Sequence, residues 1–268
     1  LCFGGDIMWG AVIGDLAGSI YEYEQYQKCE SINISNLISD NSFFSDDTIL
    51  TIAILDAIIN DKNYAKYLKL YGNKYYYYKP NVEKYFENPF SPGFMKWIKS
   101  DFYGNSIGNG AMMRISPVGY LFDTEEEVIE NARLATIPSH NSKEAIECSK
   151  KISQIIFLAR MQYSKDAIIK KLKIKLKYRR FSKFNSSCYE TIDNCLYAVF
   201  TSDSFEESIH KILTYGGDTD TNACIVGAMA EALYGIDEIY INKAKEKIPL
   251  EFIEKLNAGY NFKENKKV

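Results

Sequence analysis

The chain has 268 residues, 46% of them hydrophobic, enough to bury a sizeable core. Its 16 glycines and 6 prolines are too few for a fibrous or disordered polymer, and a formal charge of −3 argues against a nucleic-acid partner, which wants a basic face. The six cysteines (Cys2, Cys29, Cys148, Cys188, Cys195 and Cys224) lack CxxC spacing, which excludes a patterned zinc or redox site and reads as free, mostly buried thiols in a reducing, cytoplasmic compartment.

Leu1 to Ile7 fit no element that follows and lack the charged and apolar regions of a signal peptide, so Met8 reads as the natural start. From Gly10 to Glu22, the glycines Gly10, Gly14 and Gly18 recur every four residues, which lets a helix bring its backbone very close to a neighbour. Asp15 and Glu22 are seven apart and share one face. Glu22 then reads either as an acid reaching a buried site from the helix end or as an exposed residue of a Tyr/Glu-rich turn. Apolar residues recur at three- and four-residue steps over 48–60, predicting a helix that breaks at Asp61, Lys62 and Asn63. Residues 64–87 are crowded with tyrosine, including the run Tyr75 to Tyr78, and predict a tyrosine-lined helix beside the core, with a partner surface as the alternative.

Helical periodicity returns at 126–137, where Thr124 and Glu127 form a capping box, and again at 143–162. His140 stands beside that second helix start and, taken alone, reads as a capping or packing residue. Residues 165–183 carry nine Lys or Arg; a solvated face with snorkelling lysines is preferred over an acidic-partner site. Helices follow at 205–213, containing His210 with no motif around it, and at 222–234. Long β-like alternation is rare, there is no internal repeat or Pro/Gly/Ser-rich linker, and no apolar run reaches the roughly 18 residues of a spanning helix. The expected fold is all-α, a compact multi-helix domain over 8–268.

Two acidic clusters carry the chemistry. Phe44-Ser45-Asp46-Asp47-Thr48 and Gly216-Gly217-Asp218-Thr219-Asp220-Thr221 each stand directly before an apolar helix. Unpaired N–H groups and the macrodipole favour negative charge there. Singly, each cluster could be an N-cap, but capping needs one side chain, and two carboxylates in each repel unless cations neutralise them. If the tips converge, the cage is all oxygen, which suits Mg²⁺ or Mn²⁺ and not zinc or copper.

With these segments in view, the chain resembles the ADP-ribosylglycohydrolase family. The resemblance rests on five blocks in the family's order: GAVIGDLAGSIYEY, FSDDT, SIGNGAMMRISPVG, SHNSKEA and GGDTDTNACIVGAMAEALYG. It implies an all-α fold with a binuclear magnesium centre at the base of an ADP-ribose cleft. Ser45, Asp46 and Asp47 match the first ligand group, and Asp218, Asp220 and Thr221 the second, with Mn²⁺ a possible substitute. Glu22 sits where the family has an acid beside the metals, and Glu22 or Asp47 is the candidate acid or base. Ser106, Gly108, Asn109 and Gly110 match the loop that approaches the pyrophosphate or ribose, and His140 the histidine that contacts the ribose side. Arg114 reads as a structural ion pair rather than a phosphate clamp.

The chain departs from the family in having Ser45 for the usual Thr, one histidine in Ser139-His140-Asn141-Ser142, and Ile107 where an aromatic is common. The implied activity is Mg-dependent removal of ADP-ribose from a protein or small molecule by a monomer off the membrane, with nucleic-acid-linked ADP-ribose left open. The alternatives are a binuclear phosphohydrolase acting on a nucleotide or ADP-ribose derivative, and a silent ADP-ribose binder.

Overall fold

A computed structural model describes residues 8–30 and 32–265. The expectation that Leu1 to Ile7 precede the natural start lies outside these residues, as does Cys2. The first helix, α1 (Trp9–Gln27), is followed by α2 (Asp46–Ile59), α3 (Tyr64–Lys74) and α4 (Pro92–Trp97). Next come α5 (Gly110–Met113), α6 (Ser116–Leu121), α7 (Glu125–Thr136), α8 (Lys143–Arg160) and α9 (Lys165–Leu172). The chain closes with α10 (Cys188–Phe200), α11 (Phe205–Thr214), α12 (Thr219–Tyr234), α13 (Glu238–Lys245) and α14 (Leu250–Glu264). Among the described residues the only extended pairings are single bridges, Asn105 with His140 and Gly108 with Ser187. None of the described helices is long and apolar enough to cross a membrane.

The glycine stripe of α1 dictates the centre of the molecule. A β-carbon at Gly14 would lie 2.0 Å from the Ala223 carbonyl oxygen, and one at Gly10 or Gly18 would lie 2.2 Å from the carbonyls of Gly227 or Thr219. Real side chains cannot approach so closely, so α1 and α12 lie backbone to backbone and both are largely buried. The N-terminus of α1 has no side-chain cap of its own. Glu231 of α12 replaces it, accepting from the N–H groups of Gly10 (2.8 Å) and Trp9 (3.3 Å). Helix α2 crosses this pair, and α8 closes the other side behind α6.

The tyrosine-rich stretch is helical only as far as Lys74. Tyr64, Tyr67 and Tyr71 recur at helical spacing and are buried. Four consecutive tyrosines cannot share one face, so the run turns instead. Tyr78 stacks on Phe44 with ring centroids 4.4 Å apart, whereas Tyr77 is 90% exposed. The basic stretch divides into α9 and an extended strap whose Lys173, Lys175 and Lys177 are exposed while Ile174 and Phe181 anchor it.

Candidate metal centre and active-site cleft

The tips of α2 and α12 meet. Ser45 caps α2, its hydroxyl accepting from the Asp47 N–H at 3.2 Å and donating to Asp15 Oδ1 at 2.8 Å. Asp15, from α1, also accepts from the N–H groups of Ser45 (2.9 Å) and Thr48 (3.1 Å) and from the Thr48 hydroxyl. The N–H groups of Asp47 and Thr48 at the α2 tip are therefore satisfied by Ser45 and Asp15. Across 174 positions of chain, the Thr221 hydroxyl donates to Asp47 Oδ2 at 3.2 Å. Asp218 stands at the N-cap position of α12, yet its side chain makes no capping bond. Its Oδ2 accepts from Asn109 Nδ2 at 2.7 Å, and its N–H is held by Asn185 Oδ1 at 2.8 Å. Gly216 and Gly217, with φ of 73° and 79°, turn the chain into this position.

Two triplets of carboxylates result, each with one oxygen per residue within 4.8 Å of the others: Asp15, Asp47 and Asp220, and Glu22, Asp218 and Asp220. Burial pushes Asp15 up to about 7, reinforced by Asp220, and pushes Asp218 up to about 6. Glu22, Asp46, Asp47 and Asp220 all rise well above the ordinary carboxylate range, first from burial and then from their acidic neighbours. Asp47 Oδ1 is buried with no hydrogen-bond partner among the described residues. An orphaned carboxylate oxygen inside a cluster of repelling acids fits a hard divalent cation, which would supply both the missing partner and the missing charge.

Above the cluster opens a cleft of about 470 Å³. Glu22, Asp46, Asp218 and Asp220 form its acidic floor. Ser106, Gly108, Asn109, Gly110 and His140 line one wall, and Tyr26, Phe86 and Phe184 make an aromatic collar, with Tyr26 ring centroids 5.4 Å from Phe86 and 5.2 Å from Phe184.

The sequence model of ADP-ribosylglycohydrolases matches residues 6–264. The chain belongs to the ADP-ribosylglycohydrolase family. It is 26% identical over 165 residues to the ADP-ribosyl-[dinitrogen reductase] glycohydrolase of Rhodospirillum rubrum, a match covering 56% of this chain and 55% of that protein. It is 22% identical over 280 residues to the ADP-ribosylarginine hydrolase Tri1 of Pseudomonas putida (strain GB-1), covering 92% of this chain and 72% of the relative. A solved structure titled ADP-ribosylglycohydrolase-related protein complex shares the fold, with a TM-score of 0.70 at 16% identity over 95% of both chains.

For this member of the family, the site residues named from the sequence line the cleft, apart from Ser45 and Asp47, which are buried at the α2 tip, but three details differ from expectation. The acids do not precede their helices: Asp46 and Asp47 lie in the first turn of α2, and α12 begins at Thr219, so Asp220 and Thr221 lie in its first turn. Asn109 spends its amide on Asp218, as well as facing the cleft. Among the described residues Arg114 has no carboxylate partner at ion-pair distance. It ends the short α5, is fully buried, and makes one hydrogen bond, from Nη2 to Ser139 Oγ at 2.7 Å, while Nε and Nη1 have none. Its side chain lies inward rather than on a helix surface where an acid one turn away could meet it.

Sequence reasoning missed Asp15 as organiser of the α2 tip, Asn185 as the holder of Asp218, and Gly104, where a β-carbon would lie 2.4 Å from the Ser139 carbonyl oxygen. No local pattern marks these, because each partner lies 30 or more positions away.

Proposed function

We propose that this chain is a divalent-cation-dependent hydrolase that removes ADP-ribose from a modified acceptor by breaking the glycosidic bond. The observation that carries this reading is the meeting of Ser45-Asp46-Asp47 with Asp218, Asp220 and Thr221 at the floor of a cleft, marked by the Thr221–Asp47 bond and the orphaned Asp47 Oδ1. Those six residues would hold two Mg²⁺ ions, with Mn²⁺ as substitute. Such ions supply charge stabilisation at the ribose hydroxyls and the attacking water.

The chain's own residues do the rest. Ser106, Gly108, Asn109, Gly110 and His140 bind and orient the ligand along one wall. Of the two acids named from the sequence, Glu22 faces the cleft, whereas Asp47 is 1% exposed and committed to Ser45 and Thr221. Burial among other acids raises the Glu22 carboxyl above its ordinary range, the direction that suits a group which protonates a leaving group. Asp47 then serves as a ligand.

The acceptor we propose is an arginine side chain. Tyr26, Phe86 and Phe184 line the cleft together with Glu87, and aromatic rings beside a carboxylate suit a planar, delocalised cation such as guanidinium. One relative carries the name ADP-ribosylarginine hydrolase.

The test incubates the protein and Mg²⁺ with arginine-, serine- and nucleic-acid-linked ADP-ribose and identifies products by mass. Free ADP-ribose with an intact pyrophosphate, released fastest from arginine, is the expected result. AMP or inorganic phosphate would overturn glycohydrolysis in favour of phosphohydrolysis, and binding without product would make the protein a silent binder.

A further inference from the structure

The buried guanidinium of Arg114 has no place in the function just proposed, yet it stands between the acid cluster and His140. Its influence reaches both: it opposes the upward shift of Asp46 and helps depress His140. Its one hydrogen bond goes to Ser139 Oγ, and Ser139 Oγ lies 2.7 Å from His140 Nδ1. Arginine can only donate, so Ser139 must accept from it. The serine hydroxyl then has one proton left to place, and among the described residues His140 Nδ1 is the acceptor within reach.

We propose that Arg114 and Ser139 are a positioning pair that fixes which ring nitrogen of His140 carries the proton, so that the imidazole presents Nε2–H into the cleft as a hydrogen-bond donor.

Four observations agree. His140 is 7% exposed, and burial together with the Arg114 charge holds its pKa well below the usual histidine value, so the ring stays neutral. The ring nitrogen that faces the ligand side is Nε2, because β-carbons at Gly108 and Gly110 would lie 3.5 and 3.7 Å from it, and both glycines line the cleft. The backbone around the serine is clamped, with Gly104 N–H donating to Pro138 O at 2.8 Å, Asn141 N–H to Gly104 O at 2.7 Å and His140 N–H to Thr136 O at 3.0 Å. Finally, a cation that makes one hydrogen bond while buried makes that bond count, since charge-assisted bonds are about twice as strong as neutral ones. His140 therefore offers a proton to a hydroxyl or phosphate oxygen of the ligand and does not act as a base. This role rests on the reading that the cleft binds ADP-ribose; the state of the ring does not.

The ring is directly readable, because the chain holds only two histidines. Long-range ¹H–¹⁵N spectra of the intact protein, with His210→Gln used for assignment, should show His140 with an unprotonated Nδ1 and a protonated Nε2, unchanged from about pH 5.5 to 8. Ser139→Ala should abolish that single pattern and let the ring titrate or exchange tautomers, and Ser139→Thr should restore it. Binding of free ADP-ribose should weaken about tenfold in Ser139→Ala, the worth of one well-made hydrogen bond, and recover in Ser139→Thr.

A wild-type ring protonated at Nδ1, or charged at pH 7, overturns the proposal. So does a Ser139→Ala ring that keeps the wild-type pattern. Arg114→Lys adds a second probe if it folds; Ser139→Ala decides the matter if it does not. A locked ring in a protein that shows no affinity for ADP-ribose would count against the glycohydrolase reading and leave the positioning pair standing.

Discussion

The first turns of α7 and α12 are both acidic, but they handle their charge in opposite ways. At α7, Thr124 and Glu127 close a reciprocal capping box, and Glu125 and Glu126 stay in contact with solvent, one of them beside Lys171 at 2.9 Å. Water and a lysine absorb the charge, and the turn is complete by itself. At α12, Asp218 makes no capping bond, Asp220 is buried beside it, and, beyond the amides of Asn109 and Asn185 that hold Asp218, carboxylates from α1 and α2 crowd the turn. That turn is unfinished without a cation. Acid content at a helix tip therefore says little about function. Acid that is buried and surplus to capping says much more.

The comparison can be broken by substitution. Asp218→Ala should lower ADP-ribose release by about 10³-fold or more, because it removes several kcal/mol of charge stabilisation with the ion it holds. Glu126→Ala at the other tip should leave turnover within about twofold, as expected of a solvated surface change. Equal effects from the two variants would erase the distinction.

Packing gives the next effect. Gly14→Ala drives a methyl into the Ala223 carbonyl, 2.0 Å away, and should cost about 3 kcal/mol or prevent folding, read as a fall in denaturation midpoint. A neutral outcome would mean that the spacing which brings the α12 tip to the α1 acids is not fixed.

The dependence on pH sharpens the contrast further. Carboxylates whose folded-state pKa is raised contribute stability below their unfolded value, and that contribution is lost as pH rises through the folded value. For Asp218 and Asp15 that loss falls toward about 6 and about 7. Cation-free protein should therefore melt at progressively lower temperature between about pH 4 and 7. Added Mg²⁺ should restore the difference, with a larger increment at pH 8 than at pH 5.5, because the ligands must be deprotonated to bind. Differential scanning fluorimetry with and without chelator measures both slopes, and a Mg²⁺ increment independent of pH would contradict the buried-acid account. The smallest effect belongs to the ordinary tip: Thr124→Ala should cost about 1 kcal/mol of stability and leave cation binding untouched.

Much of this was legible in the chain itself. Helices α7, α8 and α11 follow the apolar three-and-four spacing closely, since each has one buried face and a Ser or Thr start, whereas α2, also started by a Ser, is apolar and buried all round. The start of α12 is displaced by three positions, from 222 to Thr219, because a first turn of Thr, Asp and Thr buried against other polar groups has no apolar stripe to extend. Helix α10 went unread although Ser187 and Glu190 spell its capping box. The surplus carboxylates were visible as pairs. What the pairs touch was not visible, because Asp15, Asn185 and Ser139 act through long-range bonds that leave no periodic trace.

The pairing of the first helix with the twelfth also has a consequence for biosynthesis. A ribosome releases the acids of α1 and α2 long before α12, and the bond between Thr221 and Asp47 spans 174 positions. During translation the glycine face of α1 thus waits without the α12 backbone it packs against, a state open to misassociation. Truncated products ending before Gly216 would lack both the second set of carboxylates and the backbone against which α1 nests. A nascent chain therefore lacks half of the acid cluster until α12 has emerged.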